Sequence, residues 1–188
     1  MSEPGVGPDV VREQILAAAF DEVTRWGIER FSVQNLAARH GIDRATVAMY
    51  WPDEEQLLLD VLLDGPGRSI SPPDTGSLRD DLTLVAMAMA AYISTDRGRG
   101  LQGTLLIGDR DRFRLDVRAQ VWQRRSAVMA AVFDRAVARG EMRGDIDPRL
   151  VLQMVVAPIN MRVLFNNDVA DESYCRTLVD LVCRAVAP

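Results

Sequence analysis

His40 is the only histidine in the chain, so catalysis by an imidazole would have to run through it. Nucleophilic chemistry of the Ser-His-Asp kind needs that ring beside both a hydroxyl and a carboxylate. His40 instead opens the segment His40-Gly41-Ile42-Asp43, which reads as a turn between two short helices. A histidine metal site falls with it. Cys175 and Cys183 are the only cysteines. Their spacing suits two small apolar packers on one helix face better than a zinc cluster or a disulfide framework. The neighbouring carboxylates Asp80-Asp81 and Asp109/Asp111 read as helix caps and solvated faces. Gly98-Arg-Gly-Leu-Gln-Gly103 spells GxGxxG. A dinucleotide site needs that string between a strand and a helix, and no strand precedes it, so it reads as a loop and helix entry. No enzyme, cofactor or metal is expected, which leaves recognition as the available chemistry.

Recognition rests on arginine. All 22 basic residues are arginines. Eight of them lie between Arg97 and Arg125 against Asp109, Asp111 and Asp116, and Arg110, Arg114 and Arg118 recur at four-residue spacing. On a helix that spacing makes one stripe. The stripe is either a solvated, salt-bridged face or the landing place of an anionic effector, such as a carboxylate or an acyl thioester.

The elements that position these groups are helical throughout. Val11, Ile15, Ala19, Val23 and Trp26 recur at helical spacing from Pro8 and stop at Gly27. Ser32 caps a short helix from Val33 to about Arg39, and Asp43 caps another from Arg44 to about Tyr50. Trp51-Pro52 ends that helix, and Asp53 with Gln56 opens the next. Residues 65–76, rich in Gly, Pro and Ser, separate two parts of the molecule. Beyond them come a helix from Ser77, a shorter one between Arg99 and Ile107, and a long one from about Arg112 to Arg139-Gly140. Asp147-Pro148 starts another, and a last helix runs from about Val169. The expected fold is all-α, divided at the 65–76 stretch into parts over 1–64 and 65–188.

Residues 32–59 are the most informative. Two short helices joined at Gly41, with Leu36, Ala37, Ile42 and Val47 inward, have helix-turn-helix lengths. The second helix would turn Arg44, Ala45, Ala48 and Met49 to a major groove, with Thr46 and Tyr50 within reach of phosphates. Ser32, Gln34 and Arg39 complete the expected DNA-contacting set. Spacing alone leaves open a plain packing unit of two helices.

The run FSVQNLAARHGIDRATVAMYWPDEEQLLLDVL is more specific. With the preceding Trp-Gly-Ile it resembles, over residues 8 to 64, the DNA-binding domain of the TetR (tetracycline repressor) family. ARGEMRGDIDP looks like part of a regulatory domain seen in many members. The resemblance implies a helix-turn-helix DNA-binding domain over 1–64 and a helical ligand-binding and dimerisation domain over 65–188, with a homodimer paired through the last two helices, a cavity for a small-molecule effector between the middle helices, and repression at a double-stranded operator. Met87, Tyr92, Leu105, Arg118, Trp122, Met129, Met154 and Asn160 are the expected effector-binding residues. Val155, Ile159, Phe165, Leu178 and Leu181 are the expected dimer contacts, because the last two helices are too apolar for a free surface. The chain departs from the family pattern at Ala48, where an aromatic or long residue is usual. It departs again at Met49, often basic or polar, and at Glu54, commonly lysine.

Charge sharpens those departures. The net charge is -5 and the pI about 4.9, which excludes a general basic coat protein. Residues 1–60 hold five arginines and eleven acids, while the rest is close to neutral. The part expected to touch DNA is therefore the acidic part. Phosphate contacts supply non-specific affinity, so that affinity should be weak. The alternative is a ligand-binding dimer of the same fold with weak or lost DNA binding. The opening MSEPGVGPDV has neither a basic nor an apolar signal region. No uninterrupted apolar run approaches the ~20 residues of a membrane helix, so a cytoplasmic protein with no membrane partner is expected.

Overall fold

The computed structural model describes residues 7–63, 72–107 and 112–188, except the side chains of 107 and 112–115. Among these residues the architecture is all-α, as the periodicity predicts. The helices are α1 (Pro8–Trp26), α2 (Val33–His40), α3 (Arg44–Tyr50), α4 (Glu54–Leu63) and α5 (Leu78–Ile93). They continue with α6 (Asp96–Ile107), α7 (Arg112–Ala138), α8 (Pro148–Asn160) and α9 (Glu172–Val186).

The chain forms two compact units. The first comprises Met1–Asp64 with Gly103–Val121, and the second Gly65–Gln102 with Trp122–Pro188. In the first unit α1 packs on α2 and α4, with Ile15, Ala19, Val23, Leu36, Leu57 and Leu58 buried. In the second, α5 packs on α8 and α9. Leu82, Ala86, Phe133, Val151, Val155 and Val179 lie in one buried cluster there.

Capping fixes the start of α5. Ser77 Oγ accepts from the Asp80 amide at 3.4 Å, and Glu141 Oε2 reaches across to the Leu78 amide at 2.6 Å. Arg139 grips Glu141 at 3.0 and 3.1 Å, and this hydrogen bonding holds the Glu141 carboxyl below its usual range. A carboxylate on a helix's first amides satisfies donors that the helix itself cannot.

Three local expectations are corrected. The helix expected from Arg99 begins at Asp96, so Gly98, Gly100 and Gly103 are helical. A Cβ at Gly98 would strike the Tyr92 carbonyl and ring; the glycine serves close helix contact rather than a phosphate loop. The last helix begins at Glu172, because Asp171 accepts from the Tyr174 amide at 2.8 Å and caps it there. Asp81 is fully buried rather than solvated. It accepts from the Thr75 amide and hydroxyl at 2.8 Å each.

Helix α8 carries Pro158 and passes at Met161–Phe165 into a π-helical turn. A proline removes one intrahelical bond and crowds the preceding turn, which favours such a local change of pitch. The 18-residue segment Pro148–Phe165 is, by length and composition alone, apolar enough to cross a membrane. Val151, Val155, Ile159 and Val163 of that segment belong to the second unit's core cluster, as residues of a core helix do.

Candidate nucleic-acid interface and effector region

Helices α2 and α3 are shaped by short-range rules. Ser32 Oγ accepts from the Asn35 amide at 3.1 Å and starts α2. Gly41 closes it at φ 64°, a left-handed conformation that favours glycine. Asp43 then caps α3 through the Thr46 amide at 3.2 Å. Leu36 and Val47 are buried between the helices, while Arg44, Ala45, Ala48 and Met49 face solvent. Met49 is 81% exposed, far more than a packing role would leave it.

The two ends of this pair are held differently. At the end of α3 the Tyr50 hydroxyl donates to the Pro8 carbonyl at 3.0 Å. Next to it, Trp51 Nε1 donates to Asp60 Oδ2 at 3.0 Å. Arg12 reaches the same oxygen at 2.7 Å and lies 5.2 Å over the Trp51 ring. These contacts tie α3 to the start of α1 and to α4. At the end of α2, the buried Glu22 of α1 takes Arg39 at 2.6 Å and His40 Nε2 at 3.3 Å. Arg39 also stacks 4.8 Å from the Trp26 ring centre. The lone histidine is thus part of the bond between α1 and α2.

Replacing Glu22 with Gln keeps the shape but removes a charge from the Arg39 hydrogen bond. A loss of about 1–2 kcal/mol is expected, read as a lower urea midpoint with unchanged slope. An unchanged midpoint would show that the cluster does not secure α2.

Helix α4 supplies an unexpected contact. Glu54 Oε2 accepts from the Val33 amide, the first of α2, at 3.1 Å. Beside it Glu55 Oε1 accepts from Gln120 Nε2 at 2.5 Å. Two residues earlier on α7, Arg118 pairs with Glu29 at 2.7 Å and donates to the Thr104 carbonyl at 3.3 Å. The first part of α7 is therefore fastened to α4 and to the 3₁₀ turn Ile28–Arg30 within the first unit.

The second unit matches a family model. Residues 72–182 fit the Tetracyclin repressor-like, C-terminal domain. The chain belongs to the TetR family. Its relatives include the HTH-type transcriptional regulator YdeS of Bacillus subtilis, 25% identical over 88% of this chain and 84% of that protein. The fold is shared with Salmonella enterica GusR at a TM-score of 0.74, with 19% identity and 98% and 99% of the two chains covered. It is also shared with FadR of Bacillus subtilis, solved in complex with stearoyl-CoA, at a TM-score of 0.71 and 15% identity, covering 93% and 99%. This TetR-family chain is a transcriptional regulator with a helix-turn-helix.

Within the TetR-type DNA-binding unit, Gln34 is exposed and Ser32 spends its oxygen on the α2 cap. Thr46 Oγ1 leans on Asp43 at 3.3 Å. Arg39, expected to contact DNA, pairs with Glu22, and Tyr50, expected within reach of a phosphate, donates to the Pro8 carbonyl. Arg44 is exposed and makes no ion pair among the described residues.

The expected effector residues fall in both units. Arg118 is committed to Glu29 in the first unit, and Met154 turns outward, 36% exposed. Leu105 also belongs to the first unit. Met87, Tyr92, Trp122 and Met129 border or join the second unit's core, and Asn160 is buried in that unit. Arg110 and the side chain of Arg114 lie outside the described residues.

The expected dimer contacts differ in exposure. Val155 and Ile159 are fully buried in their own chain. Leu178 is half-buried, while Phe165 and Leu181 are 60% and 58% exposed. Leu150 and Met161 join Phe165 and Met154 on the outward side of α8 and its π turn. Glu22 and Gln120 were not singled out by spacing, and Glu54 stood out only as a departure from the family pattern. The one available signal was Glu22, an acid on the otherwise apolar face of α1.

Proposed function

We propose that this regulator works as a homodimer that reads a pseudo-palindromic operator through α3 and releases it when an effector occupies the second unit. The observation that carries the reading is the free outer face of α3, where Arg44, Ala45, Ala48 and Met49 are exposed while Val47 is buried. A helix so placed presents its early residues to base edges in a major groove. Two copies must stand about one helical turn of DNA apart to reach adjacent grooves, which requires a fixed dimer. The outward stripe Leu150, Met154, Met161 and Phe165, with Leu181 on α9, supports that dimer. The stearoyl-CoA held by the fold relative FadR supports a ligand in the second unit.

Helix α7 offers the connection between ligand and DNA. Its first part holds Glu29 and Glu55 through Arg118 and Gln120, and it runs on unbroken into the second unit. An effector that favours another setting of α7 would lower operator affinity by its own difference in affinity for the two states.

Arg44→Ala tests the reading. Specific binding should weaken by about 1–3 kcal/mol, with non-specific binding nearly unchanged. Equal weakening on specific and scrambled duplexes would place Arg44 on the backbone; no effect on either would remove α3 from the interface. A second reading, a ligand-binding dimer with little DNA affinity, is favoured by Glu54 sitting on the α2 amide.

A further inference from the structure

The seven residues of α3, Arg44-Ala-Thr-Val-Ala-Met-Tyr50, offer few kinds of contact to a base edge. In the major groove Arg or Lys takes guanine, Asn or Gln takes adenine, Asp or Glu accepts from cytosine, and an apolar group meets the 5-methyl of thymine. Helix α3 carries no Asn, Gln, Asp or Glu. Its two hydroxyls are engaged within the chain: Thr46 donates to Asp43 Oδ2 at 3.3 Å and Tyr50 to the Pro8 carbonyl at 3.0 Å. Val47 is buried. What turns outward is one guanidinium, Arg44, together with Ala45, Ala48 and Met49.

Spacing sets these groups side by side. Arg44 and Ala48 are four residues apart, as are Ala45 and Met49, so they share one face of the helix. The alanines end at Cβ and let the helix backbone come close to the floor of a groove. Met49 is 81% exposed, and its unbranched, polarizable thioether adapts to a small apolar group at contact distance. Apolar surface left in water by the free protein gains free energy when a methyl group covers it.

We propose that α3 selects its operator by the 5-methyl groups of thymine, with Met49, Ala45 and Ala48 against those methyls and Arg44 on a neighbouring guanine. This rests on the reading of α3 as the helix that enters the major groove, and adds what that helix recognises there. Adenine and cytosine are then read only through their partners. Because the methyl group and not the pairing edge is sensed, 5-methylcytosine should stand in for thymine at these positions.

The full chain is used to select from a pool of duplexes with about 20 randomised base pairs, enough for two half-sites one helical turn apart. In the enriched duplex each thymine is replaced in turn, in both half-sites, by deoxyuridine, which removes the methyl and keeps the hydrogen-bonding edge. Anisotropy titration should show more than one position at which affinity falls about tenfold, from roughly fourfold per methyl acting in each half-site. Cytosine at those positions should bind at least as weakly as deoxyuridine, and 5-methylcytosine should recover most of the loss. Met49→Gln should abolish the deoxyuridine effect at one position and keep it at the others, while Met49→Leu keeps it throughout. Met49 is exposed, so both variants should melt at the wild-type temperature.

Deoxyuridine substitutions that each cost less than about twofold overturn the proposal and leave α3 standing as a DNA-reading helix. So does a deoxyuridine profile that Met49→Gln leaves unaltered. A pool that yields no enriched duplex overturns the reading of α3 itself and the proposal with it, and assigns the outward apolar face to a protein partner.

Discussion

Glu54→Lys is expected to tighten DNA binding by at least about tenfold at 0.1 M salt. The Glu54 carboxylate now sits on the first amide of α2, 3.1 Å from the Val33 nitrogen. In a helix-turn-helix the first helix crosses the DNA backbone, and its amino end is a natural phosphate site. Glu54 places a negative charge at that spot. Two unit charges a few ångströms apart in water interact by about 1 kcal/mol, so reversing the sign gains roughly twice that in each half-site before screening. One added phosphate contact per protomer should also steepen the log-log salt slope by about 0.9 for each.

Glu54→Gln separates charge from capping. Its amide oxygen still accepts from Val33, so stability should hold while affinity rises by a smaller factor. Unchanged affinity in both variants would mean that no phosphate approaches the start of α2.

Leu181→Glu should convert the proposed dimer to monomer and remove specific operator binding with it. Leu181 is 58% exposed on the single chain, and Met154, Met161 and Phe165 are similarly uncovered on α8 and its π turn. In a two-fold interface each substitution acts twice. Two carboxylates buried there should cost at least about 2–4 kcal/mol together. Light scattering at micromolar concentration should show half the wild-type mass, with the helical content unchanged. A monomer engages one half-site at a time, so the gain from linking two half-sites disappears. Val155→Ala serves as the contrast. Val155 is fully buried within its own chain, so that change should lower the melting temperature and leave the dimer constant alone.

These particulars show what the chain discloses before it is folded. Caps were legible because their rule is local: Ser32, Asp43, Ser77 and Asp147 each accept from an amide two or three residues on. The Gly41 turn was legible because a left-handed helix end favours glycine. The core face of α8 was not. That helix is apolar on most sides, so periodicity could not say whether Val155 or Met154 turns inward, and only packing against α5 and α9 decides it.

Contacts that join distant segments were equally hidden. Glu54 meets Val33 across 21 positions and Arg118 meets Glu29 across 89. Nothing in either local sequence marks the pairing. The acidic charge of residues 1–60 was visible from the start; its physical consequence became clear only when Glu22 proved to be a buried anchor and Glu54 a cap.

The decisive measurement is a fluorescence anisotropy titration against duplex DNA flanking the regulator's own gene, repeated over a range of salt concentrations. A saturable complex of two protomers per site is expected, resistant to a large excess of scrambled duplex, with a log-log salt slope shallower than about -8. No specific complex at low salt, or tight binding with a slope steeper than about -8, would contradict a dimer that reads a short operator through few contacts.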